Sequence, residues 1–118
     1  MAALAVYVVD GLDIERYADA AIAASAVEGY DAHRLQYFAS DGTVLIARVL
    51  GPESGPVILE ASDEHDLPEL MSRLRALAEH FAVPGAAAIP DPDELYVALE
   101  NELLRRRETG RRWRSRRT

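Results

Sequence analysis

Residues 34–50, Arg-Leu-Gln-Tyr-Phe-Ala-Ser-Asp-Gly-Thr-Val-Leu-Ile-Ala-Arg-Val-Leu, decide the fold. Asp41-Gly42 stands between two apolar runs. Asp-Gly in that setting is the strongest short-range hairpin signal, because both turn positions tolerate positive φ. Residues 34–39 and 43–50 are therefore expected as antiparallel strands. The second run is apolar at nearly every position, as in a central strand. Arg48 is its exception and is expected at an exposed end.

Downstream, Gly51-Pro-Glu-Ser-Gly-Pro56 is dense turn chemistry, and Val57–Glu60 follows as a third meander strand. Upstream, residues 4–9 (Leu-Ala-Val-Tyr-Val-Val) read as a doubly covered first strand that Asp10-Gly11 ends. Asp13 is expected to cap a helix running to about Val27, with Ile14, Tyr17, Ala18, Ala21, Ile22 and Ser25 on one face. Leu12 and Tyr17 have the spacing of a hydrophobic staple across its start.

The clearest helix is the second. Leu67, Leu70, Met71, Leu74, Leu77, Ala78 and Phe81 make one stripe, and Asp66-Leu-Pro-Glu69 supplies a cap, an early proline and a first-turn acid. Pro84-Gly85 breaks the chain, and Ala86–Ile89 reads as a short edge strand able to pair with a second copy. Asp91-Pro-Asp-Glu94 starts a third helix to about Glu108, with Leu95, Tyr96, Leu99 and Leu103 inward. The expected order is β-α-β-β-β-α-(β)-α, an α/β (α+β) domain over residues 1–108 with helices on one face of a single sheet. That order resembles a ferredoxin-like arrangement with an extra strand and a trailing helix.

Composition narrows function mainly by exclusion. There is no cysteine, so disulfides, thiolate zinc sites and thiol nucleophiles are out. All 13 basic residues are arginine, which excludes Schiff-base lysines and a phosphate-loop lysine. With 20 alanines, this is the composition that GC-rich bacterial coding produces. No apolar run reaches the ~20 residues of a membrane span, and the first residues lack a cationic leader, so a cytoplasmic protein is expected.

Charge is divided by position. Residues 1–104 carry 19 acids and 5 arginines, whereas residues 105–118 carry 8 arginines and one acid, Glu108. The overall −7 thus combines an acidic body with a basic end. Arg105, Arg106 and Arg107 fall in the last turn of the third helix, where cations favour the dipole. Arg111, Arg112, Trp113, Arg114, Arg116 and Arg117 follow Gly110 and cannot build a core, so 109–118 is expected to be a disordered basic tail. Guanidiniums can pair with phosphates and Trp113 can stack on a base or sit at a lipid interface, making a nucleic acid or other polyanion one expected partner. Docking back onto acidic surface, of the same chain or a second copy, is another.

The acidic body suits a cationic protein partner, as in an immunity- or antitoxin-like inhibitor. The sequence is therefore read as a non-enzymatic binding or regulatory protein, with no cofactor and no metal expected. Ser62-Asp-Glu-His-Asp66 concentrates ionisable groups but reads as a solvated loop into a helix cap, without the spacing of a metal motif. A small enzyme is the rival class. Its candidate groups would be His33 with Tyr37, or His65 with Asp63, and neither pair comes with a nucleophile or an oxyanion donor.

Overall fold

A computed structural model describes the backbone of residues 3–117 and the side chains of residues 3–108. The chain runs β1 (Val6–Asp10), β2 (Asp13–Tyr17), α1 (Ala20–Ser25), β3 (Gln36–Ala39), β4 (Thr43–Val49), β5 (Val57–His65), α2 (Leu67–His80), a 3₁₀ turn at Ala86–Ala88, and α3 (Pro92–Arg117). The strands form one sheet, ordered β2-β1-β3-β4-β5, and every pairing is antiparallel. The expected meander around Asp41-Gly42 is present. Gly42 has φ +94°, its N–H bonds Ala39 O, and its carbonyl accepts from Asp66 N, the cap residue of α2. One turn thus sets a strand pair and the start of a helix.

The largest departure lies at residues 13–27. Asp13–Tyr17 is a strand, not the first half of a helix. Gly11 has φ +60°, and Asp10 pairs with Asp13 across a two-residue turn. Glycine at the first central position is the type II′ requirement, so Asp10-Gly11 turns a hairpin rather than only ending a strand. α1 is shortened to Ala20–Ser25, and its cap is Asp19, whose carboxylate accepts from Ile22 N at 2.8 Å. The staple between Leu12 and Tyr17 is correspondingly absent. Ala86–Ala88 is a 3₁₀ turn rather than an edge strand, entered through Gly85 at φ +72°. β5 also extends beyond Glu60, so Ser62–His65 is strand and not loop. β3, arriving from α1, pairs directly with β1, so no strand is inserted between them as a split βαβ unit requires.

Helices cover both faces of the sheet, not one. Period-two alternation in β1 sends Tyr7 and Val9 towards α2 and α3, and Val6 and Val8 towards α1. On the first side Leu70, Leu74 and Leu95 are essentially inaccessible and, with Phe38 and Ile14, form the main core. Fully burying each such side chain contributes about 1.5–3 kcal/mol. On the other side α1 touches β1, β2 and also β5. β1 and β5 are three strand spacings apart, about 14 Å in a flat sheet. One six-residue helix reaches both because the sheet curls around it, and buried Ala23 and Ala24 permit the close approach. The chain between α1 and β3 closes that side. Gly29 lies so tightly on the β4–β5 loop that a Cβ there would run into Glu53 O.

Among the described residues no helix is long and apolar enough to cross a membrane. The backbone of α3 continues through Gly110 to Arg117, past the helix end expected near Glu108, while the side chains of 109–118, where the basic tail is expected, lie outside the described residues.

Candidate functional site: an acidic cleft and an apolar groove flanking β2

β2 is an edge strand with a concavity on each side. On the α1 side, the hairpin β1–β2 and the chain entering β3 enclose a cleft of about 320 Å³. Asp10, Asp13 and Glu15 line it from the hairpin, and Glu28 and Asp31 from the segment after α1. Arg34 is the one cationic side chain in that lining. It bonds Asp10 Oδ2 at 2.7 Å and Asp31 Oδ1 at 3.3 Å, and these carboxylates raise its pKa, the Asp10 hydrogen bond foremost. Among the described residues Asp13, Glu15 and Glu28 have no ion-pair partner. The uncompensated field is visible at Tyr17, in the same lining. Burial raises its pKa first, and the charges of Glu15 and Asp13 raise it further. Among the described residues no three His, Asp or Glu side chains converge as a metal site. The five carboxylates give the cleft a negatively charged lining.

On the other side of β2, a groove of about 250 Å³ runs between the hairpin tip, the end of α2 and the middle of α3. Leu12, Leu77, Phe81, Tyr96, Leu99 and Leu103 make its walls, and Asp13, Glu15 and Glu100 its acidic rim. Leu12 is 48% exposed at the tip of the turn.

A polar lock holds the two sides in place. Tyr7 is wholly inaccessible, and its hydroxyl donates to Asp93 Oδ1 at 2.5 Å. Arg16 of β2 donates from Nε to the same oxygen at 2.9 Å. Burial alone would raise the Asp93 pKa, but the hydrogen bonds from Arg16 and Tyr7, with the Arg16 charge, bring it below the usual carboxylate value. Burial, and then Asp93, push the Tyr7 phenol far above its usual range. The ring of Tyr96 meets that of Tyr7 edge-on at 5.7 Å. The start of α3 is thereby fastened to β1 and β2, although 86 residues separate Tyr7 from Asp93.

The residues expected to act lie mostly elsewhere. Arg105 and Arg106 both pair with Glu102 one turn back on α3, Arg106 Nε at 3.1 Å, and Arg107 is exposed. Arg111, Arg112, Trp113, Arg114, Arg116 and Arg117 fall outside the described side chains. His33 and Tyr37 are not brought together as a reactive pair. The Tyr37 hydroxyl is buried and donates to Ala32 O at 2.7 Å, whereas His33 is exposed in a groove with Tyr30 and Arg48. Asp63 and His65 are exposed two residues apart on β5, and neither lines the cleft or the groove. The acidic character of the body is legible in the sequence, but its concentration around β2 is not, because it requires residues 13–17 to be a strand where their spacing also fits a helix.

Comparison with protein-family models, with curated proteins and with solved structures finds no match.

Proposed function

We propose that this chain is a protein-docking module whose acidic cleft receives a cationic protein partner. One observation carries the reading. Five carboxylates from two separate segments border a single cleft in which Arg34 is the only basic side chain, and three of them have no ion-pair partner among the described residues. Charge arranged this way steers a basic partner and accelerates encounter, chiefly at low ionic strength. An inhibitor that covers the basic cleft of a nucleic-acid-binding enzyme is the kind of role this chemistry suits. The polyanion-binding role of the arginine segment rests on sequence alone, since most of that segment lies outside the described side chains.

The test uses the full chain and a small basic ribonuclease as probe, titrated calorimetrically at two salt concentrations. Binding should weaken at least about tenfold between 50 and 300 mM salt, since the screening length for exposed charges falls from roughly 14 Å to roughly 6 Å over this range. Glu28→Gln with Asp31→Asn should weaken it similarly at low salt, while Glu60→Gln on the distant β5 should not. Equal binding by the cleft variant and the parent chain would refute the reading.

A further inference from the structure

The apolar groove beside α3 is a second surface, with chemistry different from the cleft. Its floor and walls are leucine and aromatic, its rim is Asp13, Glu15 and Glu100, and Leu12 stands half exposed at its mouth. An exposed leucine on a hairpin tip is ordinary by itself. Set over a groove with Phe81, Tyr96 and Leu103 only partly covered, it extends one apolar surface outward. An occupant suited to this site carries a large apolar anchor flanked by cations.

The chain itself contains such a segment. Residues 109–118 hold the single tryptophan, Trp113, with Arg111, Arg112, Arg114, Arg116 and Arg117 around it and no acid. A groove of this volume equals roughly eight waters at ~30 Å³ each, the scale of one indole side chain. Tryptophan and arginine are also among the residues most enriched at the energetic centres of protein interfaces. The segment cannot reach its own groove. α3 is one helix over Pro92–Arg117, and at 1.5 Å per residue position 113 lies about 15 Å beyond Leu103, leading away.

We propose that this groove receives residues 109–118 of a second copy of this chain, Trp113 entering between Leu12, Phe81 and Leu103 while its arginines meet Asp13, Glu15 and Glu100. The exchange is reciprocal. Two α3 helices running antiparallel about a twofold near Arg107 bring position 113 of one copy level with Asn101 of the other, between Leu99 and Leu103. A closed twofold pair satisfies both segments at once and leaves no open end. The apolar anchor supplies affinity, and the charges supply orientation and salt sensitivity. This inference goes beyond the cationic-partner reading and does not rest on it: the two surfaces share Asp13 and Glu15, but Glu28 and Asp31 belong to the cleft alone, and Leu12, Phe81 and Leu103 to the groove alone.

The single tryptophan makes the proposal directly readable. Sedimentation equilibrium of the full chain should give a dimer in the micromolar range, weakening as salt rises from 50 to 300 mM. Trp113 emission should shift to shorter wavelength as protein concentration rises through the same range. Trp113→Ala should weaken dimerisation at least about tenfold. Leu12→Ser, at an exposed turn position that leaves the core intact, should do the same while keeping the tryptophan as reporter. A chain that stays monomeric at 200 µM overturns the proposal, as does a dimer indifferent to both substitutions. It fails equally if the emission shift arises only on adding a DNA or RNA oligonucleotide to a monomer and is unchanged in Leu12→Ser, which would assign the segment to a polyanion.

Discussion

Replacing Asp93 with alanine tests whether the lock at the start of α3 organises both surfaces beside β2. Tyr7 is wholly inaccessible, and Asp93 is the acceptor found for its hydroxyl. Removing the carboxylate strands that hydroxyl among apolar neighbours, at about 1–3 kcal/mol. The Arg16–Asp93 contact is also lost. Its side chains are 33% and 37% exposed, so solvent screening limits this to about 0–1 kcal/mol. Losing an acid from the first turn of α3 adds about 0.3–1 kcal/mol. The expected destabilisation is about 2–4 kcal/mol. Tyr7→Phe removes the donor but keeps the ring and its edge-on contact with Tyr96, and it leaves Asp93 with Arg16 and water, so it should cost about 1 kcal/mol. The double variant has no stranded hydroxyl and should cost less than the two singles together, by about 1–2 kcal/mol. Urea unfolding followed by far-ultraviolet circular dichroism measures all four chains. An Asp93→Ala cost below about 0.5 kcal/mol, or an additive cycle, would mean that water or a neighbour rescues the hydroxyl, and the account of the lock would be wrong.

The same carboxylate has a pH signature. Its folded pKa lies below the unfolded value of about 3.9, so its contribution is complete above that value and is lost as pH falls through the folded pKa. The urea midpoint should therefore drop between pH 5 and pH 2, and the drop should be smaller in Asp93→Asn; parallel profiles would show that Asp93 is not among the groups responsible. Gly42→Ala places a side chain at φ +94° and a Cβ within 2.7 Å of the Leu67 backbone nitrogen, so both the β3–β4 turn and the cap of α2 are strained. A cost of about 2 kcal/mol or more is expected in the same unfolding assay, and a neutral result would contradict the coupling of turn and helix.

The legible parts of the fold are those where one local signal admits one structure. Asp66 capping α2 and Asp91 capping α3 each accept a backbone N–H three residues on, from Glu69 and Glu94, as their spacing requires. The stripe of α2 from Leu70 to Ala78 is buried as its period demands. Residues 10–27 admitted two structures. Ile14, Tyr17, Ala21 and Ile22 fit a helical period, but Asp13-Ile-Glu15 also alternates, with Ile14 buried and Asp13 and Glu15 exposed. Asp10-Gly11 is the same dipeptide as Asp41-Gly42, and it turns a hairpin at both places.

The candidate site exists only in the second of these structures. As a helix, residues 13–17 would put Asp13 at a cap and Glu15 on a solvated face, and neither would border anything. As an edge strand they project acids around a concavity on each side, and only then do Glu28, Asp31 and Glu100 become their neighbours. The lock was beyond local reading for a different reason. Nothing near Tyr7 predicts a carboxylate 86 residues away, and Asp93 already had a sufficient local explanation as a first-turn acid of α3. A residue that satisfies a helix start and also caps a buried phenol reveals only the first role to pattern analysis. Acids already explained by capping are therefore where tertiary polar contacts in this chain were most easily missed.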